Sequence, residues 1–123
     1  MRLAPGKRVL TEEEERFKHV LLEAVDEGLG VLGQDVKATI YFEVEKRGSL
    51  CREEIPEKLQ AFTRALREIF GVGEPVIERL IAKRLLHNLE LAYNERRDYG
   101  LIEYVEEAKA ALRRRSRFES LLD

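Results

Sequence analysis

One cysteine, Cys51, stands among 123 residues. It excludes an intrachain disulfide framework and cannot build a thiolate metal cluster alone, which fits a reducing setting. No run approaches the ~18–20 consecutive apolar residues of a membrane span. The polar stretch over residues 1–11 has no signal-peptide apolar region. These absences lead to the expectation of a soluble, cytoplasmic protein with no membrane partner. Tryptophan is absent and Met1 is the only methionine. Asn and Gln together number four (Gln34, Gln60, Asn88, Asn94), against 15 Arg and 7 Lys. High charge with few thermolabile residues is the bias of thermophile proteins.

What remains is 44% hydrophobic and 37% charged. That is too apolar for a disordered chain and too charged for a membrane protein. The length suits one domain, which can bury a core without metal or disulfide staples. A net charge of −2 disfavours a globally basic nucleic-acid binder but leaves room for a local basic patch. No internal repeat, low-complexity tract or linker divides the chain. Residues 1–10, punctuated by Pro5-Gly6, read as a flexible arm, and residues 11–123 as a single helical domain.

Thr11-Glu12-Glu13-Glu14 is a capping-box start, and its glutamates suit the positive end of a helix dipole. Phe17, Val20, Leu21, Ala24 and Val25 follow at helical spacing, until glycines at 28, 30 and 33 interrupt it. Residues 34–47 carry two signals. Val36, Ala38, Ile40, Phe42 and Val44 alternate as in a strand, yet Val36, Ile40 and Val44 also form a helical stripe beside Tyr41. No comparable second strand exists to satisfy the backbone of a first, so a helix is expected, ended by Gly48 as its cap. A connector with a short turn near Arg52 precedes a helix opened by Pro56, with Leu59, Phe62, Leu66, Ile69 and Phe70 apolar. Gly71 stops it. Pro75 opens the next, with Val76, Ile77, Leu80, Ile81, Leu85 and Leu89 on its apolar face and Glu74 and Glu78 at its start. After a charged loop over residues 93–100, a last helix runs from Leu101 to Leu122, with Ile102, Val105, Ala108 and Leu112 inward. The fold expected is an all-α bundle of four to five helices with short connections.

Chemistry-bearing constellations are sparse. Glu15, His19 and Glu23 share a helical face, but a closed metal site needs a fourth ligand, and a solvated charged face has the same spacing. Ser49, Ser116 and Ser120 lack a nucleophile elbow. Cys51 would be activated by Arg52 only if its thiol were exposed. The string Gly28-x-Gly30-x-x-Gly33 lacks the preceding strand that dinucleotide binding requires. No catalytic residue, metal or cofactor is expected, and the chain reads as a non-enzyme.

Two features point to binding. Lys109, Arg113, Arg114, Arg115 and Arg117 fall within nine positions. The four arginines are candidate contacts for an anion or nucleic acid, although Glu103, Glu106 and Glu107 lie within pairing distance along the helix. Leu112, Phe118, Leu121 and Leu122 are candidate contacts for a protein partner, since an apolar tail beyond a basic run must pack on its own domain or on another helix. A nucleic-acid alternative also draws on residues 40–55. They read like the opening of a winged helix-turn-helix, a helix ending in Lys46-Arg47-Gly48 followed by a short one from Ser49, with residues 56–70 in the recognition position. That helix is not clearly basic, and no wing follows it.

The order of landmarks Leu32-Gly33, Ile40-Tyr41, Ile55-Pro56-Glu57-Lys58, Phe62, Ile69-Phe70-Gly71 and Ile77-Glu78 resembles the Nitrosopumilus output domain type 5 family. The resemblance covers roughly residues 17–91. It implies a small helical archaeal domain that relays signals by contact and carries no catalytic residues. The function expected is a protein–protein interaction module in archaeal signalling or regulation, with a protein partner or a second copy of the chain. The alternative is a small nucleic-acid-binding regulator. The compositional bias predicts a thermal unfolding midpoint above about 60 °C, which differential scanning calorimetry measures directly.

Overall fold

The computed structural model describes residues 10–122, without the side chains of Ser120 and Leu122. Apart from Leu10, the arm expected over residues 1–10 lies outside the described residues. The expected all-α architecture is present. The elements are α1 (Glu12–Gly30), α2 (Gln34–Gly48), a 3₁₀ helix (Arg52–Glu57), α3 (Leu59–Phe70), a 3₁₀ turn (Gly71–Gly73), α4 (Glu74–Asn88) and α5 (Leu101–Leu122). No strand occurs among the described residues.

Helix α1 starts as its capping box dictates. Thr11 Oγ1 accepts from the Glu14 amide at 3.1 Å, and Glu14 Oε1 accepts from the Thr11 amide at 3.2 Å. The turn into α2 depends on Gly33, whose φ of 110° is open to glycine and strained for other residues. Residues 34–47 are helical, and the reason is visible: Ile40 and Val44 reach the core on one face with Tyr41 half-buried beside them. The alternation carried no second buried face, because Val36 is 43% and Phe42 64% exposed.

Two helix ends differ from expectation. Gly48 is the last residue of α2 rather than its cap, and Ser49 takes the left-handed conformation at φ 50°. The helix continues through Gly48 because that residue packs against α3, within 3.9 Å of Ala61 O and Ala65 Cβ for a Cβ placed there. Pro56 does not open α3; it lies inside the 3₁₀ helix. Ile55, fully buried, draws that segment into the core, and the chain resets at Lys58 (φ −130°, ψ 49°) before α3 begins at Leu59.

Helix α3 buries Phe62, Ala65 and Leu66, and α4 buries Ile77, Ile81, Ala82, Leu85 and Leu86. Val76, expected on that apolar face, is 54% exposed because it lies off the Ile77–Ile81–Leu85 stripe. Helices α1 and α4 pack closely. A Cβ on Gly28 would stand 2.9 Å from Ile81 Cγ1 and 3.1 Å from its Cα. At the same seam Glu27 accepts from Asn88 Nδ2 at 2.6 Å and pairs with Arg84 at 3.1 Å.

The connection between α4 and α5 is longer than the short loops expected. Residues 89–100 return along α4, placing Tyr93 under the Lys83 ammonium and Glu95 at 4.0 Å from Arg79. The return lets α5 lie parallel to α4: Glu78 meets Leu101 at one end and Arg115 reaches Leu89 and Glu90 at the other. Tyr104 fills the space under the loop. It is 1% exposed, and its ring lies 5.2 Å from Tyr93 and 5.0 Å from Tyr99.

The α1–α4 seam leaves no volume for a methyl group. Gly28→Ala gains about 1 kcal/mol in helix propensity but forces overpacking worth about 1–3 kcal/mol against an α4 backbone that cannot yield. The expected outcome is a net loss of stability, read as a lowered urea midpoint at unchanged slope.

Candidate functional site

Helix α5 begins inside the bundle and ends outside it. Leu101, Tyr104, Val105 and Ala108 are buried, and Leu112 is half-buried. From Arg113 to Glu119 every residue is exposed. At 1.5 Å per residue the 22-residue helix is about 33 Å long, against about 22 Å for the 15-residue α4 beside it. The excess projects past the end of α4. Its last tether is Arg115, whose guanidinium donates to Leu89 O at 3.5 Å and to Glu90 O at 3.3 Å. A cation there satisfies carbonyls at the end of α4 and suits the negative end of its dipole.

Beyond that tether the helix shows an apolar edge between basic side chains. Phe118 is 62% and Leu121 80% exposed. With Ala111 and Arg114 they recur at intervals of three, four and three, the spacing of a helix–helix seam. The pairing expected between Glu103, Glu106, Glu107 and the arginines is not formed. Glu106 pairs with Lys109 at 3.9 Å, as expected, but Glu107 turns to Arg96 at 3.7 Å and Glu103 accepts from the Gly100 amide at 2.6 Å. The returning loop has taken those acids. Arg113, Arg114 and Arg117 therefore form no ion pair among the described residues.

The partner-binding set thus divides. Phe118 and Leu121 are presented outward, Leu112 is half-buried, and the side chain of Leu122 lies outside the described residues. The arginine set divides as well, with Arg113, Arg114 and Arg117 in solvent and Arg115 bound to its own chain.

The other chemical candidates resolve simply. Glu15, His19 and Glu23 are exposed on α1, and His87 is exposed on α4. Among the described residues no group of three or more His, Cys, Asp or Glu side chains is placed to hold a metal ion. The Gly28-x-Gly30-x-x-Gly33 string ends a helix instead of opening one after a strand. The Cys51 thiol is exposed, but it donates to Glu54 Oε1 at 3.1 Å, and that carboxylate pushes the thiol pKa up. Glu54 itself is held down to about 2, chiefly by Lys58 at 2.9 Å. Arg52, the expected activator of Cys51, points to Asp26 instead. The helix-turn-helix alternative finds its short second helix in the 3₁₀ segment, but Gly71–Gly73 lead directly into α4 and no strand pair follows.

Two polar clusters owe their form to burial and to partners on other elements. Asp26 on α1 accepts from the Tyr41 hydroxyl and from both arms of the Arg52 guanidinium, with Arg52 Nε at 3.1 Å. Burial alone would raise the Asp26 carboxyl; the bonds from Arg52 and Tyr41 outweigh it and hold its pKa below 3.8. Burial, and then the bond to Asp26, push the Tyr41 phenol up, and the bond to Asp26 pushes the Arg52 guanidinium up. It ties α1, α2 and the 3₁₀ helix at one point. The second cluster is Glu74 and Glu78, 2% and 6% exposed. Their four-residue spacing suited the start of a helix, and only their flanks, Ile77 and Ile81, marked that face as inward.

Replacing Asp26 with Ala is expected to cost about 2 kcal/mol, the scale of charge-assisted hydrogen bonds. The D26A/R52A double mutant should lose little more than either single mutant, as a double-mutant cycle in urea will read. Because the folded pKa of Asp26 lies below its unfolded value, this contribution is present above pH 3.8 and is lost as pH falls through the folded pKa. Comparison of the chain with protein-family models, with curated proteins and with solved structures gives no match.

Proposed function

We propose that the protein is a non-catalytic protein–protein interaction module of archaeal signalling or regulation, and that its docking element is the projecting end of α5, met by a second copy of the chain. The observation that carries this reading is the helix itself, which keeps its apolar seam residues Phe118 and Leu121 after leaving the bundle that could have covered them. Charge complementarity argues for a second copy as the occupant. Arg113, Arg114 and Arg117 project at the end of α5, and α1 opens with Glu12, Glu13 and Glu15 exposed. In a dimer that acidic surface would meet arginines that have no ion pair among the described residues of their own chain. Two-fold homodimers are also the commonest oligomers. The archaeal signalling setting follows from the family resemblance over residues 17–91, whose landmarks Ile40, Ile55, Phe62 and Ile77 are core residues here.

The unpaired arginines also favour a second reading, contact with nucleic-acid phosphates. The two readings separate in one measurement, solution mass by light scattering with and without short duplex DNA at low salt. The expected result is a dimer indifferent to DNA. Each buried apolar side chain is worth about 1.5–3 kcal/mol, so Phe118→Asp with Leu121→Asp should weaken the dimer at least about a hundredfold without unfolding the chain. Truncation before Arg113 should do the same. A wild-type monomer at high concentration overturns the proposal, and a DNA complex that weakens steeply with salt replaces it with the second reading.

A further inference from the structure

Two carboxyl groups meet at the joint between α4 and α5. Glu74 and Glu78 are one helical turn apart and almost wholly buried. Glu78 Oε1 accepts from the backbone N–H of Leu101, the first residue of α5, at 2.6 Å. A Cβ on Gly100 would stand 2.8 Å from that same oxygen, so glycine is what lets the start of α5 come so close. The Glu74 carboxyl faces that of Glu78 one turn along α4. Its Oε1 is buried with no partner among the described residues.

The charges facing this pair are few. On α3, Arg67 acts on Glu74 at a distance and forms no ion pair with it. On α4 there is Glu78 itself. On α5, Glu103 is occupied by the Gly100 amide at 2.6 Å. Among the described residues no cation forms an ion pair with either carboxylate. Two facing carboxyl groups can hydrogen-bond to each other only when one of them keeps its proton. Burial first, and then the Glu78 carboxyl beside it, push the Glu74 pKa up to about 8, which makes Glu74 the group that keeps a proton. Glu78 is then free to accept from α5, at the positive end of that helix.

We infer that the Glu74–Glu78 pair is a proton-operated latch fastening the start of α5 to α4. With the proton in place the two side chains are bonded and Glu78 holds the Leu101 amide. Without it, two adjacent negative charges in a dry joint push apart, and the first turn of α5 is released. The latch acts on the helix whose far end projects from the bundle, and it operates whatever that end binds.

The sign follows from the raised pKa. The folded chain keeps a proton that the unfolded chain loses near 4.5, so the stabilisation is full below that pH, falls as pH rises toward about 8, and is spent above it. The test uses the full chain and three readouts: a carboxyl ¹³C NMR titration, thermal midpoints from pH 5 to 9, and hydrogen-exchange protection of the Leu101 amide relative to core amides of α1. Glu74 should titrate near pH 8. Relative protection at Leu101 should fall at least tenfold between pH 6.5 and 9. Glu74→Gln should abolish that titration, hold Leu101 protection constant and flatten the midpoint against pH. If Glu74→Gln does not fold, Glu78→Gln keeps an oxygen for Leu101 while removing the like charge, and must hold Leu101 protection constant from pH 6.5 to 9 although burial still raises the Glu74 pKa. An ordinary carboxylate titration for Glu74 overturns the latch, and so does a Glu74→Gln protein that loses Leu101 protection at pH 9 as the wild type does.

Discussion

At residue 28 the backbone of α1 comes so near α4 that only hydrogen atoms fit between it and Ile81. Helices this close share one continuous core, and Val25, Leu29, Ile81 and Leu85 are all fully buried there. Each other element takes its place from this seam. Helix α2 and the 3₁₀ segment lean on α1, α3 packs under α2, and α5 is laid along α4 by the returning loop. Dense packing of this kind has little tolerance for added volume, which is why one glycine at the closest point governs the geometry of the bundle.

Polar side chains fasten the parts that apolar packing alone would leave loose. The 3₁₀ segment is too short to hold itself by helical hydrogen bonds, and its position is set by burying Ile55 and by the grip of Arg52 on Asp26. The start of α5 has Glu78 from another helix as acceptor for its first amide. In both cases a charged group satisfies donors at a joint between elements, where a half-buried polar group is costly unless it is bonded. The Tyr93–Tyr104–Tyr99 cluster does the corresponding work for the loop over residues 89–100, giving a long connection a packed underside.

The same construction explains the projecting end of α5. A helix running parallel to its predecessor needs a return loop, and that loop consumes Glu103 and Glu107, which helical spacing alone would have offered to the arginines. Arg115 is turned back to the end of α4. Its neighbours are left in solvent with Phe118 and Leu121 between them. Basic and apolar character therefore occur together on a surface that the chain's own core does not cover.

The sequence by itself determined the helical class, the start of α1 at its capping box, the opening of α4 at Pro75 and the span of α5. These are local matters, set by caps, proline geometry and apolar spacing along one element. It also marked Phe118, Leu121 and the arginines as candidates for contact. Only the tertiary structure decided which of them are presented, because that depends on where α5 leaves its neighbours. Pro56 fell inside a 3₁₀ helix and Gly48 inside α2, since the burial of Ile55 and the packing of α3 outweighed local preference. The Asp26–Arg52 clamp and the Glu74–Glu78 pair join residues whose meaning comes from burial and from partners on other elements. Burial and long-range pairing are properties of the packed chain, and no spacing within a single helix encodes them.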